Sequence, residues 1–157
     1  MVVAGTEHRR QHFRVELNSP LCAEMTIVMI KGKALEVGTA EVLIVDIGPG
    51  GLRFKSNLRL PVHPEIVLQF ETEVITSRVQ MYGNIVRCSE VEDDIFEYGV
   101  QFTMAEEKHA EIARVFNRLA IRQKKSDTVP SGRFLVGDPH AYLRSIIDPR
   151  EKTSSNG

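Results

Sequence analysis

The sequence contains no tryptophan, three tyrosines and two cysteines in 157 residues. Barrels that bind single-stranded nucleic acid without sequence preference stack bases on surface aromatics set among basic residues. With few aromatics, and most phenylalanines at core-like positions, this function receives little support. Cys22 and Cys88 lie far apart in strand-like runs. In a chain of cytosolic character, two such cysteines are more often buried thiols than a disulfide.

Long apolar runs and strong net charge are also missing. No run approaches the roughly 18 apolar residues that span a bilayer, and the first five residues lack the regions of a signal peptide. The formal net charge is −1, so no broad electrostatic field indicates DNA, RNA or an anionic membrane as a partner. We therefore expect a cytoplasmic, single-domain protein in which any anion site is local.

Signatures of common enzymes are absent as well. The glycine-rich stretch 48–51 is too short and wrongly flanked for a dinucleotide fingerprint, and no P-loop or nucleophile elbow appears. The five histidines, His8, His12, His63, His109 and His140, are scattered along the chain, and there is no Cys-x-x-Cys motif to join them in a metal site. His12 suits a strand edge better than the role of a general base. We expect a binding protein without catalytic residues, metal or cofactor.

What the chain does contain is a series of short β-like runs. Apolar residues alternate with polar ones, or form short buried runs, in several stretches bounded by turn residues: 15–18, 21–30, 39–47, 52–54, 65–70, 74–79, 81–88 and 96–102. Gly83 suggests a bulge or bend in its strand, and the two prolines of 60–64 place a surface connection there. The pattern predicts a mainly β protein, a small antiparallel barrel of about six strands.

One helix follows the strands. Thr103 and Glu106 have the spacing of a capping box, and an apolar stripe recurs at helical spacing through Ile112, Val115, Phe116, Leu119 and Ala120. The simplest interpretation is a C-terminal helix, near residues 105–124, that covers the barrel. Use of an exposed stripe for homodimerisation or partner docking is the alternative.

Beyond the helix, prolines and glycines interrupt the chain. We predict three parts: a flexible N-terminus at 1–8, the barrel with its helix at 9–125, and a mobile tail at 126–157. Residues 141–147 could form a short helix in this tail, and its apolar side would need a cover from the barrel or from a partner.

Two segments carry the functional signal. Arg9, Arg10 and Arg14 crowd into six positions before the first strand, and guanidinium groups grip a phosphate or a guanine edge in two places. Asp46 opens a glycine-rich turn that continues through Gly48 to Gly51. Such a turn allows positive φ and close approach to a ligand. Taken singly, a solvated basic terminus and an ordinary strand connection explain each segment.

In combination the two segments resemble the PilZ family, whose signature is RxxxR followed by a [D/N]-x-[S/A]-x-x-G turn. The stretch 9–15 is similar to the family's RRxxxRV entry, and Tyr-Gly-Val-Gln-Phe at 98–102 is similar to its closing strand. The resemblance covers residues 8 to 120 and implies a small β-barrel that binds cyclic di-GMP. It implies that Arg10 and Arg14 contact guanine edges and phosphates, that Arg9 is a neighbour, and that Asp46 accepts from guanine.

By the same resemblance, Gly51 keeps the turn tight, while Gly48 stands where the family commonly has serine. The expected function is a cyclic di-GMP receptor that changes conformation and regulates a protein partner in motility, exopolysaccharide or surface attachment. The alternative is a degenerate adaptor that binds no nucleotide. Ligand stoichiometry and oligomeric state stay open.

Overall fold

The computed structural model describes residues 15–30, 33–34, 38–125 and 131–146. Seven strands precede the helices: β1 (Val15–Ile30), β2 (Lys33–Ala34), β3 (Ala40–Ile47), β4 (Gly51–Ser56), β5 (Ile66–Val74), β6 (Ser77–Glu92) and β7 (Ile95–Phe102). The two helices are α1 (Glu106–Lys125) and α2 (Pro139–Ser145). The predicted flexible N-terminus and both ends of the predicted tail lie outside the described residues.

The strands form one antiparallel sheet that closes on itself. Its order is β2-β1-β3-β4-β7-β6-β5, and β1 pairs with β5 as well. At 16 residues β1 is long enough to serve two neighbours: the half from Val15 to Met25 pairs with β3, and the half from Glu24 to Ile30 pairs with β5. The six long strands therefore make a ring, and the predicted mainly β fold with about six barrel strands is confirmed.

The inward side chains form one aromatic and aliphatic core. The ring of Phe54 stacks on Tyr98 at 5.0 Å and tilts against Phe70 at 5.1 Å. The Tyr98 hydroxyl donates to the Leu58 carbonyl at 2.6 Å and accepts from the Leu60 N–H at 2.7 Å. This tyrosine thus fixes the connection after β4 from inside the barrel, and its burial raises the pKa of Tyr98 to about 12.

The hairpin between β5 and β6 differs from the sequence prediction. Residues 74–79 were expected to form one strand, but β5 ends at Val74 and Ile75 adopts a φ of 59° in the turn. β6 then runs unbroken to Glu92, straight through Gly83. A Cβ on Gly83 would collide with the Gln101 carbonyl oxygen, so this glycine permits a close approach of β7. The pairing of β6 is regular on both sides of Gly83, so no bulge occurs at this position.

Helix α1 covers one end of the core. Its buried face consists of Ile112, Val115, Phe116 and Leu119, all packed into the main core. These side chains are not an exposed docking stripe, and the predicted lid is what they form. The capping box is wrong: the Ala105 carbonyl accepts the first helical bonds, and the Thr103 N–H donates to the Tyr82 carbonyl at 2.9 Å.

Residues 131–135 fill the gap where β1 leaves β5 to pair with β3. The Cys22 N–H donates to the Arg133 carbonyl at 2.7 Å, and the Arg133 N–H donates to the Glu73 carbonyl at 3.0 Å. The Leu135 N–H donates to the Pro20 carbonyl at 2.7 Å. Residues 131–135 therefore bond to the barrel on both sides of this gap, and the mobility of the tail stays a prediction.

Helix α2 packs on the outside of the barrel. Leu143 is fully buried against Leu43 and Ile95, two strand residues that face outward, and against Cys22. The barrel thus supplies the cover that the short helix was expected to need. Both cysteines are free; Cys22 is buried as expected, whereas Cys88 is exposed.

Candidate functional site

The turn that the sequence singled out joins β3 to β4. Within it, the Gly48 N–H donates to the Gly51 carbonyl at 2.8 Å. The Gly50 carbonyl accepts from the N–H of Phe102, the last residue of β7, at 2.9 Å. The turn is therefore closed on itself and tied to the strand that follows β4 in the sheet.

Gly51 is required by a close approach of two strands. The described glycines with positive φ are Gly132 and Gly137, so this turn does not use the positive φ that its glycines allow. A Cβ on Gly51 would overlap the carbonyl oxygen of Val100 in β7. Only a residue without a side chain allows β4 to pair with β7 here.

Helix α1 supports the same turn. His109 Nδ1 lies 2.9 Å from the Pro49 carbonyl oxygen, and because a carbonyl only accepts, Nδ1 carries the proton. The imidazole meets the Phe102 ring edge-on at 6.0 Å. Ile112 and Phe116 of the helix line a small apolar pocket with Pro49. The turn thus rests on a rigid element.

Asp46 is oriented by Arg53 on the neighbouring strand. Its carboxylate oxygen Oδ2 accepts from Arg53 Nε at 2.6 Å and lies 2.5 Å from Arg53 Nη2. The third guanidinium nitrogen, Nη1, donates to Glu97 Oε2 at 2.8 Å. The bond to Asp46 is the largest of the effects that raise the pKa of Arg53, so this residue remains a cation. Asp46 is held in one orientation by a permanent charge.

The described chain begins directly beside this turn. Val15 pairs with Ile47 and Glu16 pairs with Asp46, so the chain that enters β1 arrives next to the end of β3. The three arginines of the predicted site lie outside the described residues, and their convergence with Asp46 stays a prediction; they are Arg9, Arg10 and Arg14.

Helix α1 also holds the start of β1. The Gln123 side chain accepts from the Asn18 N–H at 2.9 Å and donates to the Glu16 carbonyl at 3.1 Å. These bonds occupy backbone groups where the pairing of β1 with β3 shifts register. One helix therefore contacts both the glycine turn, through His109, and the strand that follows the arginine segment.

Comparison with protein-family models matches the PilZ domain over residues 8–118. The chain belongs to the PilZ domain family. This confirms the resemblance proposed from the sequence. The chain is also similar to a solved structure, the Borreliella burgdorferi PlzA protein in complex with c-di-GMP, with 19% identity, a TM-score of 0.41 and coverage of 69% of this chain and 42% of that chain. It thus spans less than half of that protein, and a comparison with curated proteins found no match.

Two residues of this PilZ domain escaped the sequence analysis, namely Arg53 and Glu97. Arg53 lies two positions after Gly51 on β4, and its partner Glu97 follows 44 residues later. The alternation on β4 could have placed Arg53 on the outer face. No sequence signal could have paired it with Asp46 or Glu97, because that pairing depends on strand register.

Helix α2 borders the same outer face of the PilZ domain. His140 lies between Glu92 Oε1, at 2.7 Å from Nδ1, and Lys55 Nζ, at 3.0 Å from Nε2. Because an ammonium group only donates, Nε2 accepts and Nδ1 carries the proton. Bonds from His140 and then Arg144 lower the pKa of Glu92. Lys55 pairs with Glu97 across β4 and β7, and Glu97 also accepts from Arg53. Helix α2 therefore begins beside the ion pairs of Arg53.

Other features of the described chain lie away from this face. A groove of about 200 Å³ between β6 and α1 is lined by cations that include Arg78, Lys108, Arg114 and Arg118. In the described ranges, no group of three or more His, Cys, Asp or Glu side chains could hold a metal ion. None of the helices described there is long and apolar enough to cross a membrane.

Proposed function

We propose that this PilZ domain is a non-enzymatic, cytoplasmic receptor for cyclic di-GMP. The observation that carries the proposal is the pairing of Val15 with Ile47, which brings the chain entering β1 to the edge of the Asp46 turn. This pairing supports the proposal that the two distant segments of the family signature meet at one place on the barrel. Membership of the PilZ family supplies the ligand class.

The ligand carries two phosphates and two guanines, and the proposed contacts match its groups. Arg10 and Arg14 would grip phosphate oxygens and the acceptor edge of guanine, with Arg9 beside them. Asp46 would accept from guanine N–H groups, in an orientation set by Arg53. Gly48 supplies no hydroxyl, and the missing hydrogen bond is worth about 0.5–1.5 kcal/mol, or up to about tenfold in Kd.

Closure of the arginine segment over the ligand is the proposed signal. Ordering this segment would cost conformational entropy, which charge-assisted hydrogen bonds of about 1.5–3 kcal/mol each would offset. Closure would be transmitted to helix α1, because this helix contacts the turn through His109 and the start of β1 through Gln123. The resulting surface would bind a protein partner that controls motility, exopolysaccharide or surface attachment.

Isothermal titration with cyclic di-GMP tests the receptor function. We expect a saturable heat signal for the wild type that disappears in Arg10→Ala and in Asp46→Asn. Arg118→Ala is the matched control, since this arginine is exposed on α1 in the groove described above. A flat trace for folded wild-type protein would overturn the proposal.

Gly48 is the observation that favours a second candidate, an adaptor that has lost its ligand. Such a protein would bind its partner equally well with and without the nucleotide, whereas a receptor would not. Co-purification with a partner in the presence and absence of cyclic di-GMP separates the two functions.

A further inference from the structure

Arg87 lies on the same outer face as the proposed ligand turn. Asp46 pairs with Arg53, Arg53 with Gly99, and Gly99 with Arg87. Directly paired residues of an antiparallel sheet point to the same side, so these four form one row across β3, β4, β7 and β6, which we call the outer row. Two strand spacings, about 10 Å, separate the backbones of Arg53 and Arg87.

The guanidinium of Arg87 lies flat over Gly99. A Cβ built on Gly99 would lie 2.9 Å from Nη2, 3.1 Å from Cζ and 3.4 Å from Nε of Arg87. Three atoms of the plane are therefore nearly equidistant from the glycine. Arg87 is exposed and makes no hydrogen bond or ion pair with the rest of the described chain. Its upper surface is open to solvent.

Both charged ends of the outer row stand at β-bulges. The pairing of β3 with β4 shifts register between Ile44 and Asp46, and that of β6 with β7 shifts between Ile85 and Arg87. A bulge redirects the side chain that follows it, and bulges are frequent beside functional sites. The extra residue in β6, Val86, is 54% exposed and adds an apolar surface beside the guanidinium.

A purine on this face would need a flat partner, and in the described chain the aromatic rings nearby are unavailable. Phe54 and Tyr98 are fully buried in the core. Phe96 is buried and carries the Arg59 guanidinium over its ring at 4.8 Å. The outer row has two planar guanidinium groups: Arg53 is 32% exposed and is engaged by Asp46 and Glu97, whereas Arg87 is exposed and makes no ion pair in the described chain. Arginine stacks well on aromatic faces.

We propose that Arg87 is a ligand-contacting residue that stacks on a guanine of cyclic di-GMP while Asp46 reads the edge of a guanine. This inference rests on the receptor function proposed above. It assigns Gly99 a role as well, because the absence of a side chain there lets the guanidinium lie close to the sheet and leaves room for a base above it.

The test separates the flat surface of Arg87 from its charge. Titrations with cyclic di-GMP compare the wild type with Arg87→Ala, Arg87→Lys and Arg87→Trp, and with Arg118→Ala as the control for loss of an exposed arginine. Stacking predicts a Kd about tenfold weaker for Arg87→Ala and equally weak for Arg87→Lys, with Arg87→Trp within about threefold of the wild type. Thermal melting of each variant verifies folding.

Gly99→Ala gives a second variant that leaves Arg87 in the chain. The three atoms nearest to the added methyl group belong to the movable end of the Arg87 side chain, so the fold should be retained while binding weakens. The stacking role is overturned if Arg87→Lys binds like the wild type, or if Arg87→Ala behaves like Arg118→Ala. Absence of wild-type binding would overturn the receptor function itself, and this inference with it.

Discussion

Arg53, 32% exposed in its side chain, holds the 2% exposed carboxylate of Asp46 through two guanidinium nitrogens at 2.6 and 2.5 Å. The contact places a permanent cation next to the acid that the family signature assigns to ligand binding. A guanine approaching Asp46 would therefore meet a carboxylate that is already oriented. The contact also makes the stability of the barrel depend on a residue of the proposed ligand site.

Replacing Arg53 with alanine should lower both stability and affinity. The buried carboxylate of Asp46 would lose its contacts with the Arg53 guanidinium, and we expect a loss of about 2 kcal/mol in the free energy of unfolding. Arg78→Ala is the control, because its ion pair with Glu71 is largely exposed and should be worth less than about 1 kcal/mol. Urea denaturation measures both, and equal stability of the two variants would contradict the prediction.

Gly51→Ala should disrupt the sheet. Its Cβ would overlap the Val100 carbonyl oxygen, and separating β4 from β7 should cost about 3 kcal/mol or more, or prevent folding. Gly38→Ala is the control, since a Cβ there meets nothing within 4 Å. Circular dichroism melts of both variants test this, and a Gly51→Ala protein as stable as Gly38→Ala would refute the steric account.

Leu143→Ala should destabilise the protein although it lies beyond the barrel strands. This side chain is fully buried against outward-facing Leu43 and Ile95, and we expect a loss of about 2–3 kcal/mol in the free energy of unfolding. Val136→Ala, at an 80% exposed position, should change stability by less than about 0.5 kcal/mol. A negligible effect of Leu143→Ala in urea denaturation would show that α2 adds nothing to the fold.

Stability should fall at alkaline pH. Burial raises the pKa of Tyr98 from 10.0 to about 12, so the unfolded chain loses this proton first as pH rises. The contribution is complete below pH 10 and is lost towards pH 12, with a slope of up to about 1.4 kcal/mol per pH unit. Burial raises the pKa of Tyr142 too, so Tyr98→Phe should reduce the slope without abolishing it. Urea denaturation at pH 9 to 12 measures it, and an unchanged slope in Tyr98→Phe would exclude Tyr98 as its source.

The number of barrel strands could be predicted from the sequence because it follows from the local alternation of apolar and polar residues. The position of the turn between β3 and β4 could be predicted from its glycines. The sequence could not reveal the Ile75 turn, since a β-branched residue at a φ of 59° has no turn signal. The sequence also could not show why residue 51 must be glycine. The reason is the close approach of the Val100 carbonyl oxygen, which lies 49 positions further along the chain. Contacts between strands can be predicted only when the strand register is known, and the register is seen only in the folded sheet.

The docking of residues 131–146 on the barrel could not be predicted from the sequence for a similar reason. Leu43 and Ile95 have the composition of ordinary core residues in the sequence, yet both face outward and need Leu143 to exclude water. A stretch rich in proline and glycine therefore had a docking surface that local patterning could not indicate. The role of the arginines at 9–14 remains a prediction. Isothermal titration of the wild type and of Arg10→Ala with cyclic di-GMP tests it.

The short stretch 131–135 bonds to Pro20 and Cys22 on one side and to Glu73 and Ile75 on the other. It works as a clasp across the only stretch where β1 and β5 diverge within the described ring. Opening of the barrel between β1 and β5 therefore requires residues 131–135 to dissociate first, with loss of their hydrogen bonds to both strands.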